Sequence, residues 1–275
     1  MISVPGAGHA RPLQGIFLPV ATPFDRSGGL YHAKLKHNIE KWNPLSLSGY
    51  VVCGPAGESA SLTGEEKVTL WEWAAKYAAP EKLLIAGVGA EGVRETVLLV
   101  NQAASLGCRF ALVTTHPSLQ REVADEARIP LIVREQPEGD PPHPNIAAVL
   151  EDSGDPERVL ALKPRFKVLT GSEAALWPCL SAGAAGAILP YANAAPYSVI
   201  AIWEAHRGRH TETGLDWQER ISHAARLVTA KHGVPGLKHA MDLNGYYGGP
   251  CRPPSAPLTP EARREIEEAF RELRG

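Results

Sequence analysis

The sequence predicts an α/β fold, a (β/α)8 TIM barrel followed by a helical extension. Eight short apolar runs, each typical of a buried parallel strand, recur along residues 15–190. Helical patterns or their remnants follow these runs, and a parallel sheet of that length closes on itself. An open doubly wound sheet is the weaker alternative, because the sequence has no glycine-rich dinucleotide fingerprint.

The composition is that of an ordinary soluble globular protein. The 275 residues are 44% hydrophobic and 21% charged, which suffices for a large core. Because 28 basic residues nearly balance 30 acidic ones, no strong field favours nucleic acid or an anionic membrane. The four cysteines are widely spaced, and the sequence shows neither an export signal nor a long apolar stretch. We therefore expect reduced thiols, a cytoplasmic location and no membrane-spanning helix.

The elements follow from apolar periodicity and turn residues. Strands are predicted at residues 15–20, 49–54, 82–89, 110–115, 129–133, 145–150, 166–171 and 185–190. Helices are predicted at residues 30–43, 93–106, 118–128, 156–162 and 173–182, and in the tail at 196–207, 217–232 and 260–274. Thr63 and Glu66 have capping-box spacing, so another helix is expected to begin there. Residues 1–195 are expected to form the barrel, with residues 196–275 packed on it in one structural unit.

The connection between the fifth and sixth strands is unusual. Residues 135–144 read EQPEGDPPHP, and four prolines are incompatible with a regular helix. Ten extended residues reach roughly 33 Å, whereas a strand spans only about 17–20 Å, so the chain can still cross back without a helix. The sequence therefore predicts that helix 5 is missing and that helix 4, before the fifth strand, is shortened.

The sixth strand is the most informative stretch for function. Residues 145–155 read NIAAVLEDSGD, an apolar run that opens into an acidic loop. Chemistry in barrels gathers at the carboxyl ends of the strands, and the last inward-pointing side chain of this strand is predicted to be Leu150. A leucine offers no nucleophile, base or charge there.

Several stretches taken in order resemble one protein family. They are GIFLPVATPF (15–24), GYVVCGPAGESASLTGEEK (49–67), NIAAVLEDSGD (145–155), FKVLTGSE (166–173), AGAAGAILPYANAAP (182–196) and GLKHAMDLNGYYGGPCRPPSAPLTPE (236–261). Together they resemble the dihydrodipicolinate synthase and N-acetylneuraminate lyase family, whose members are pyruvate-handling class I aldolases built on this barrel. The resemblance covers nearly the whole chain, and it implies carbon–carbon lyase or synthase chemistry.

The same resemblance implies that the family's catalytic groups are replaced in this chain. Family members carry a Schiff-base lysine in a pattern like G-I-K-D-S-S-G-D, and alignment on Ser153-Gly154-Asp155 puts Leu150 at that lysine. Arg134 stands at the tyrosine of the family's Y-N-V-P, which relays protons to the imine carbon. No leucine can form an imine, so the resemblance indicates a divergent member without this chemistry.

Two further loops depart from the family pattern. The substrate-carboxylate loop G-[ST]-[ST]-G-E reads Gly54-Pro55-Ala56-Gly57-Glu58, which keeps the turn and loses both hydroxyls. The tyrosine-bearing T-P-Y-Y becomes Thr114-Thr115-His116-Pro117. No lysine near another strand is expected to replace the missing amine.

Candidate ligand-binding residues follow from these alignments. Arg134 is expected either to clamp a carboxylate or phosphate or to pair internally with Glu135, Glu151 or Glu58. Glu151, Asp152 and His116 could move protons. A solvated loop or a helix amino-terminal cap before Pro156 is the simpler account of the two acids, and a lone loop histidine is more often merely exposed. The predicted ligand-binding set is Arg134, Ala56, Gly57, Glu58, Glu151, Thr170, Gly171, Tyr191 and Asn193. No cofactor is expected, and no metal, because Gly208 is expected to end the helix that would align His206 with His210.

Three functions stay open on the sequence alone. The first is an aldolase-like barrel that binds a small oxo acid or is catalytically inactive. The second is a lyase or aldolase-type enzyme that uses a lysine-independent mechanism on a small carboxylate. The third is an interaction partner, because the missing helix should bare apolar surface near residues 129–133 and Val149. A homo-oligomer, or an active relative docked on the flank of strands four to six, is expected in that case.

Overall fold

The fold prediction is confirmed by a computed structural model that describes residues 12–90, 92–134 and 141–271. Eight parallel strands close into a barrel in chain order, and the last strand pairs with the first. The strands are β1 (Gly15–Pro19), β2 (Gly49–Val52), β3 (Leu83–Val88), β4 (Phe110–Val113), β5 (Leu131–Val133), β6 (Ile146–Glu151), β7 (Val168–Thr170) and β8 (Gly186–Ile188). All eight fall within the predicted apolar runs except for the final residue of β6.

Helices surround the barrel and continue into the tail. They are α1 (His32–Trp42), α2 (Gly64–Tyr77), α3 (Val93–Ser105), α4 (Gln120–Glu126), α5 (Pro156–Leu162), α6 (Leu176–Ala182), α7 (Pro196–Gly208), α8 (Thr211–Ala225), α9 (Gly233–Leu243) and α10 (Pro260–Arg271). Helix α2 begins at the predicted capping box, in which Thr63 and Glu66 bond each other's backbone N–H groups. Within the described residues, no helix is both long and apolar enough to cross a bilayer.

The helix before β5 is short, as predicted. Helix α4 has seven residues, which is about two turns. Residues 141–145, which lead into β6, are not helical, and the first part of the proline-rich connection, residues 135–140, lies outside the described residues.

Alternation along each strand divides the apolar side chains between two clusters. Inward-pointing side chains fill the barrel interior, among them Phe17, Val51, Ile85, Leu112, Ile132, Ala148, Leu150, Leu169 and Ile188. Outward-pointing Val113, Val133 and Val149 belong to the larger cluster between barrel and helices. Successive strand residues face opposite sides, so the position of Leu150 in the interior places Asp152 on that side and Glu151 on the other.

The flank of strands four to six does not expose the expected apolar surface. Leu131, Ile132 and Val133 are 0% exposed and Val149 is 2% exposed. An open groove of about 420 Å³, which we call the outer groove, does lie on this flank. Polar side chains, including His116 and Arg158, share its lining with Val113 and Val149. The apolar docking surface inferred from the sequence is therefore absent at these strands.

The tail differs from its predicted pattern at residues 226–231. The predicted helix over 217–232 is split into α8 and a π-helical turn, Arg226–Lys231, and α9 follows at once. The tail contacts the barrel through several elements: Phe270 of α10 packs on Tyr191, with 5.7 Å between ring centroids, and Asn244 Nδ2 donates to the carbonyl of Ala194. The π-helical turn lies over the carboxyl ends of the strands, where it adds two residues to the site described next.

Candidate active site

A cavity of about 250 Å³ opens at the carboxyl ends of the strands. We call it the barrel-mouth cavity. Its apolar lining includes Leu112, Leu150 and Ile188, which close the barrel interior from below. Its polar side chains are Arg134 after β5, Asp152 after β6, Glu173 after β7 and Thr229 of the π-helical turn. Leu150 is 5% exposed, and no lysine belongs to the part of the lining that the structure describes.

Two lysines with buried side chains lie elsewhere and are engaged. The Lys238 ammonium is 2.6 Å from Glu58 Oε1 and donates to the carbonyl of Pro250 at 2.8 Å. Lys67 donates to the carbonyl of Gly89 at 3.1 Å, from helix α2 on the outside of the barrel. Both amines therefore have structural partners and neither lines the barrel-mouth cavity.

Arg134 is held across the cavity by Asp152. Its Nε donates to Asp152 Oδ2 at 2.6 Å, and its Nη2 contacts the same oxygen. The internal partner is thus Asp152 rather than Glu151 or Glu58, two of the partners considered from the sequence, while Glu135 lies outside the described residues. The Nε–Nη2 edge of the guanidinium is occupied, and no hydrogen bond or ion pair between described residues involves Nη1. A planar guanidinium can accept an anion on that second edge.

Gly171 makes room for the Asp152 carboxylate. A Cβ atom at Gly171 would lie 2.4 Å from Asp152 Oδ1, which is much closer than real Cβ contacts. The loop after β7 is therefore shaped around the side chain that follows β6.

Glu151 has a different role from its neighbour. Its Oε1 accepts a hydrogen bond from the Ser153 N–H at 2.9 Å and another from the Ser153 hydroxyl, while Oε2 accepts from the Gly154 N–H at 3.0 Å. These bonds close the loop after β6 on the outer side of the barrel. Glu151 lines the outer groove and not the barrel-mouth cavity.

Glu173 is a buried carboxyl group that lies outside the set of residues predicted from the sequence. It is 6% exposed, and its Oε1 accepts a 2.8 Å hydrogen bond from the Tyr191 N–H. Burial raises the pKa of Glu173 to about 7, and the negative charge of Asp152 adds to the rise, against the hydrogen bond from the Tyr191 N–H, which lowers it. Strand alternation could not have identified it, because β7 ends at Thr170 and Glu173 begins a 3-10 turn beyond the strand.

The loop after β2 contributes backbone and apolar surface to the cavity. Ala56 lines it, and the Gly57 carbonyl accepts a 2.6 Å hydrogen bond from the Thr22 hydroxyl. Glu58 does not line this cavity. Besides its ion pair with Lys238, its Oε2 accepts a hydrogen bond from the Arg252 N–H at 2.9 Å. Glu58 lines a larger neighbouring cavity of about 800 Å³, to which Arg134 also contributes.

The remaining predicted residues surround the cavity without lining it. Thr170 is fully buried and its hydroxyl accepts from the Ser172 N–H. Tyr191 offers its backbone N–H to Glu173, while its ring packs on the tail. Asn193 bridges β1 to the loop after β8, accepting from the Ala21 N–H at 3.0 Å and donating to the Pro19 carbonyl at 2.8 Å. These contacts support the shape of the mouth.

The other sequence candidates lie away from the cavity. His116 bonds Ser118 and lines the outer groove. His206 packs between the rings of Trp177 and Trp203. Across the described ranges, no group of three or more His, Cys, Asp or Glu side chains could hold a metal ion. Of the nine predicted ligand-binding residues, Arg134, Ala56 and Gly171 line the cavity itself.

Comparisons with known proteins agree with the fold and extend over nearly the full chain. Residues 12–124 and 142–273 match the family model described as the dihydrodipicolinate synthetase family. A 4-hydroxy-tetrahydrodipicolinate synthase of Xanthomonas axonopodis pv. citri is 29% identical over 94% of this chain and 95% of its own, and one of Methanothrix thermoacetophila is 27% identical over 94% and 97%.

Solved structures show the same architecture. A putative dihydrodipicolinate synthetase from Pseudomonas aeruginosa superposes with a TM-score of 0.88 at 22% identity, covering 96% of this chain and 100% of that one. The chloride-inhibited dihydrodipicolinate synthase from Acinetobacter baumannii, complexed with pyruvate, gives a TM-score of 0.88 at 22% identity, over 95% and 99%. At this identity the superpositions establish the fold alone.

Proposed function

Because this chain belongs to the dihydrodipicolinate synthetase family, we propose that its barrel mouth binds a small oxo acid without forming a Schiff base. The observation that carries the proposal is Leu150, which occupies the cavity floor at the position that the resemblance assigns to the family's lysine. An imine requires a primary amine close to the substrate carbonyl. The described lining has a leucine at that position, and it contains no primary amine.

The polar side chains suit an oxo acid. The second edge of the Arg134 guanidinium offers N–H donors to a carboxylate, and a protonated Glu173 can donate to a carbonyl oxygen. A volume of about 250 Å³ is below the ~300–1,000 Å³ typical of sites for drug-sized ligands. The cavity therefore favours a small metabolite, and the pyruvate bound by the Acinetobacter baumannii relative is the natural first probe.

Borohydride reduction tests the absence of an imine. The full-length protein is incubated with pyruvate and borohydride beside a lysine-dependent class I aldolase, and both intact masses are measured. The aldolase should gain the mass of a reduced pyruvate adduct and this protein should not. A stoichiometric adduct on any lysine would contradict the proposal.

Calorimetric titration with pyruvate tests the binding itself. Charge-assisted hydrogen bonds contribute about 1.5–3 kcal/mol, so Arg134→Ala should weaken binding by about 10- to 150-fold. Arg220→Ala is a matched control, because Arg220 is exposed, is paired with an aspartate at 2.9 Å and does not line the cavity. Saturable binding that Arg134→Ala leaves unchanged would remove Arg134 from the site, and no saturable binding of pyruvate would refute the proposal.

The hypothesis that a partner docks on the flank of strands four to six is not supported by exposed apolar strand residues. It started from bare apolar strands, and the strand residues in question are buried. A homo-oligomer stays a prediction that light scattering on the purified protein can test.

A further inference from the structure

We infer that Asp152 and Glu173 act as base and acid on the bound oxo acid, converting it to its enol without a lysine. This inference rests on the proposed function, since it uses the same cavity and the same ligand class. It goes further by assigning a reaction and two catalytic residues.

The two carboxyl groups face one cavity from neighbouring strands but have opposite surroundings. Asp152 accepts two N–H groups of Arg134 on one oxygen, and this ion pair requires its ionised form. Glu173 is buried beside that negative charge and accepts a hydrogen bond from the Tyr191 N–H, and no described cation pairs with it. Two carboxyl groups whose environments favour different protonation states are the usual signature of an acid and base pair.

Both groups are fixed in place by neighbouring elements. Gly171 lets the Asp152 carboxylate lie against the loop after β7. The Gln218 side chain of α8 donates to the backbone carbonyl of Glu173 at 2.9 Å, and Thr229 comes from the π-helical turn above it. Single-turn π-helical insertions in helices occur often at functional sites. The tail therefore positions the acid, while Arg134 positions the base.

The proposed step balances without a cofactor. The Asp152 carboxylate removes a proton from the carbon next to the keto group, so that C–H bond breaks and its electron pair forms the C=C bond. The carbonyl π electrons move to oxygen, which takes the proton of Glu173. The products are the enol, a protonated Asp152 and an ionised Glu173, and the reverse step restores both groups. Nothing is oxidised or reduced.

The other acid–base candidates are less well placed. Both carboxylate oxygens of Glu151 accept hydrogen bonds from the loop after β6, and Glu151 lines the outer groove. His116 lines that groove too, and its Nδ1 is 2.9 Å from the Ser118 hydroxyl. Asp152 and Glu173 both line the barrel-mouth cavity itself.

Deuterium exchange into the methyl group of pyruvate tests this inference. The full-length protein is mixed with pyruvate in D2O, and loss of the methyl proton signal is followed by NMR from pD 5.5 to 8.5 against a protein-free blank. We expect exchange above the blank that falls as Glu173 ionises near neutral pD. Because one positioned base contributes about 10²–10⁴-fold, Asp152→Asn should slow exchange at least 100-fold. Glu173→Gln should remove the fall above neutral pD.

Controls separate this inference from the proposed function. Asp216→Asn, at an exposed aspartate paired with Arg220, should exchange at the wild-type rate. Calorimetry on each variant reports binding: saturable binding of pyruvate with no exchange above the blank overturns this inference alone, and no binding overturns the proposed function with it. If Asp152→Asn does not fold, the wild-type profile decides, because exchange that stays constant or rises to pD 8.5 after blank subtraction excludes Glu173 as the acid.

Discussion

The ion pair between Lys238 and Glu58 allows a quantitative expectation for stability. Their side chains are 1% and 6% exposed, and the ammonium is 2.6 Å from the carboxylate. Lys238→Met keeps most of the side-chain volume but leaves the Glu58 carboxylate buried without its cation. Removing one partner of a buried pair costs about 3–5 kcal/mol, because the remaining charge is uncompensated. The single substitution should therefore destabilise the protein by about that amount.

The matched comparison is the double variant Lys238→Met, Glu58→Gln. Replacing both charges removes the uncompensated carboxylate, so the double variant should recover most of the loss. Chemical denaturation of the wild type, both single variants and the double variant gives the free energies of unfolding for this cycle. A cost below about 1 kcal/mol for Lys238→Met alone, within the range of exposed pairs, would refute the reasoning.

Two further expectations concern the cavity. Burial raises the pKa of Glu173 to about 7 from an ordinary value of 4.5. The contribution of Glu173 to the free energy of unfolding should therefore be greatest below about pH 4.5 and be lost as pH rises through about 7, by up to about 3 kcal/mol. Denaturation of Glu173→Gln across this pH range should lack that slope. Gly171→Ala should displace Asp152, since a Cβ would lie 2.4 Å from its carboxylate oxygen, and with it the Arg134 side chain that it holds. Loss of a charge-assisted hydrogen bond worth about 1.5 kcal/mol or more should then weaken pyruvate binding about 10-fold or more in calorimetry. Gly92→Ala, where no atom lies within 4 Å of the added Cβ, should bind as the wild type does, and equal binding by both variants would contradict the packing argument.

Local pattern was sufficient for the barrel. Each strand is a short apolar run bounded by turn residues, and alternation then determines which side chains enter the interior. The inward position of Leu150 was predicted correctly, and the same rule applied two residues further would have selected Asp152 instead of Glu151. That signal was present in the sequence.

Other features depend on contacts between distant segments. Glu58 and Lys238 are far apart in the chain, so no local pattern pairs them, and Glu173 owes its raised pKa to burial under the π-helical turn of the tail. The burial of Leu131 and Val133 was also missed. A missing helix does not by itself leave a strand exposed, because the final exposure of a strand depends on everything packed around it.

Under the proposed function, Leu150 and Arg134 are chemically compatible replacements for the lysine and tyrosine that the family resemblance assigns to these positions. An arginine at position 134 brings a positive charge to a partly enclosed site, which needs an anion, and Asp152 provides one at 2.6 Å. A lysine at position 150 would point to the same side of β6 as Asp152, so the carboxylate would face two cations and favour the charged form of the amine. Imine formation needs the neutral amine. Leu150 is therefore compatible with the Arg134–Asp152 pair, whereas a lysine restored alone would be held in its unreactive form.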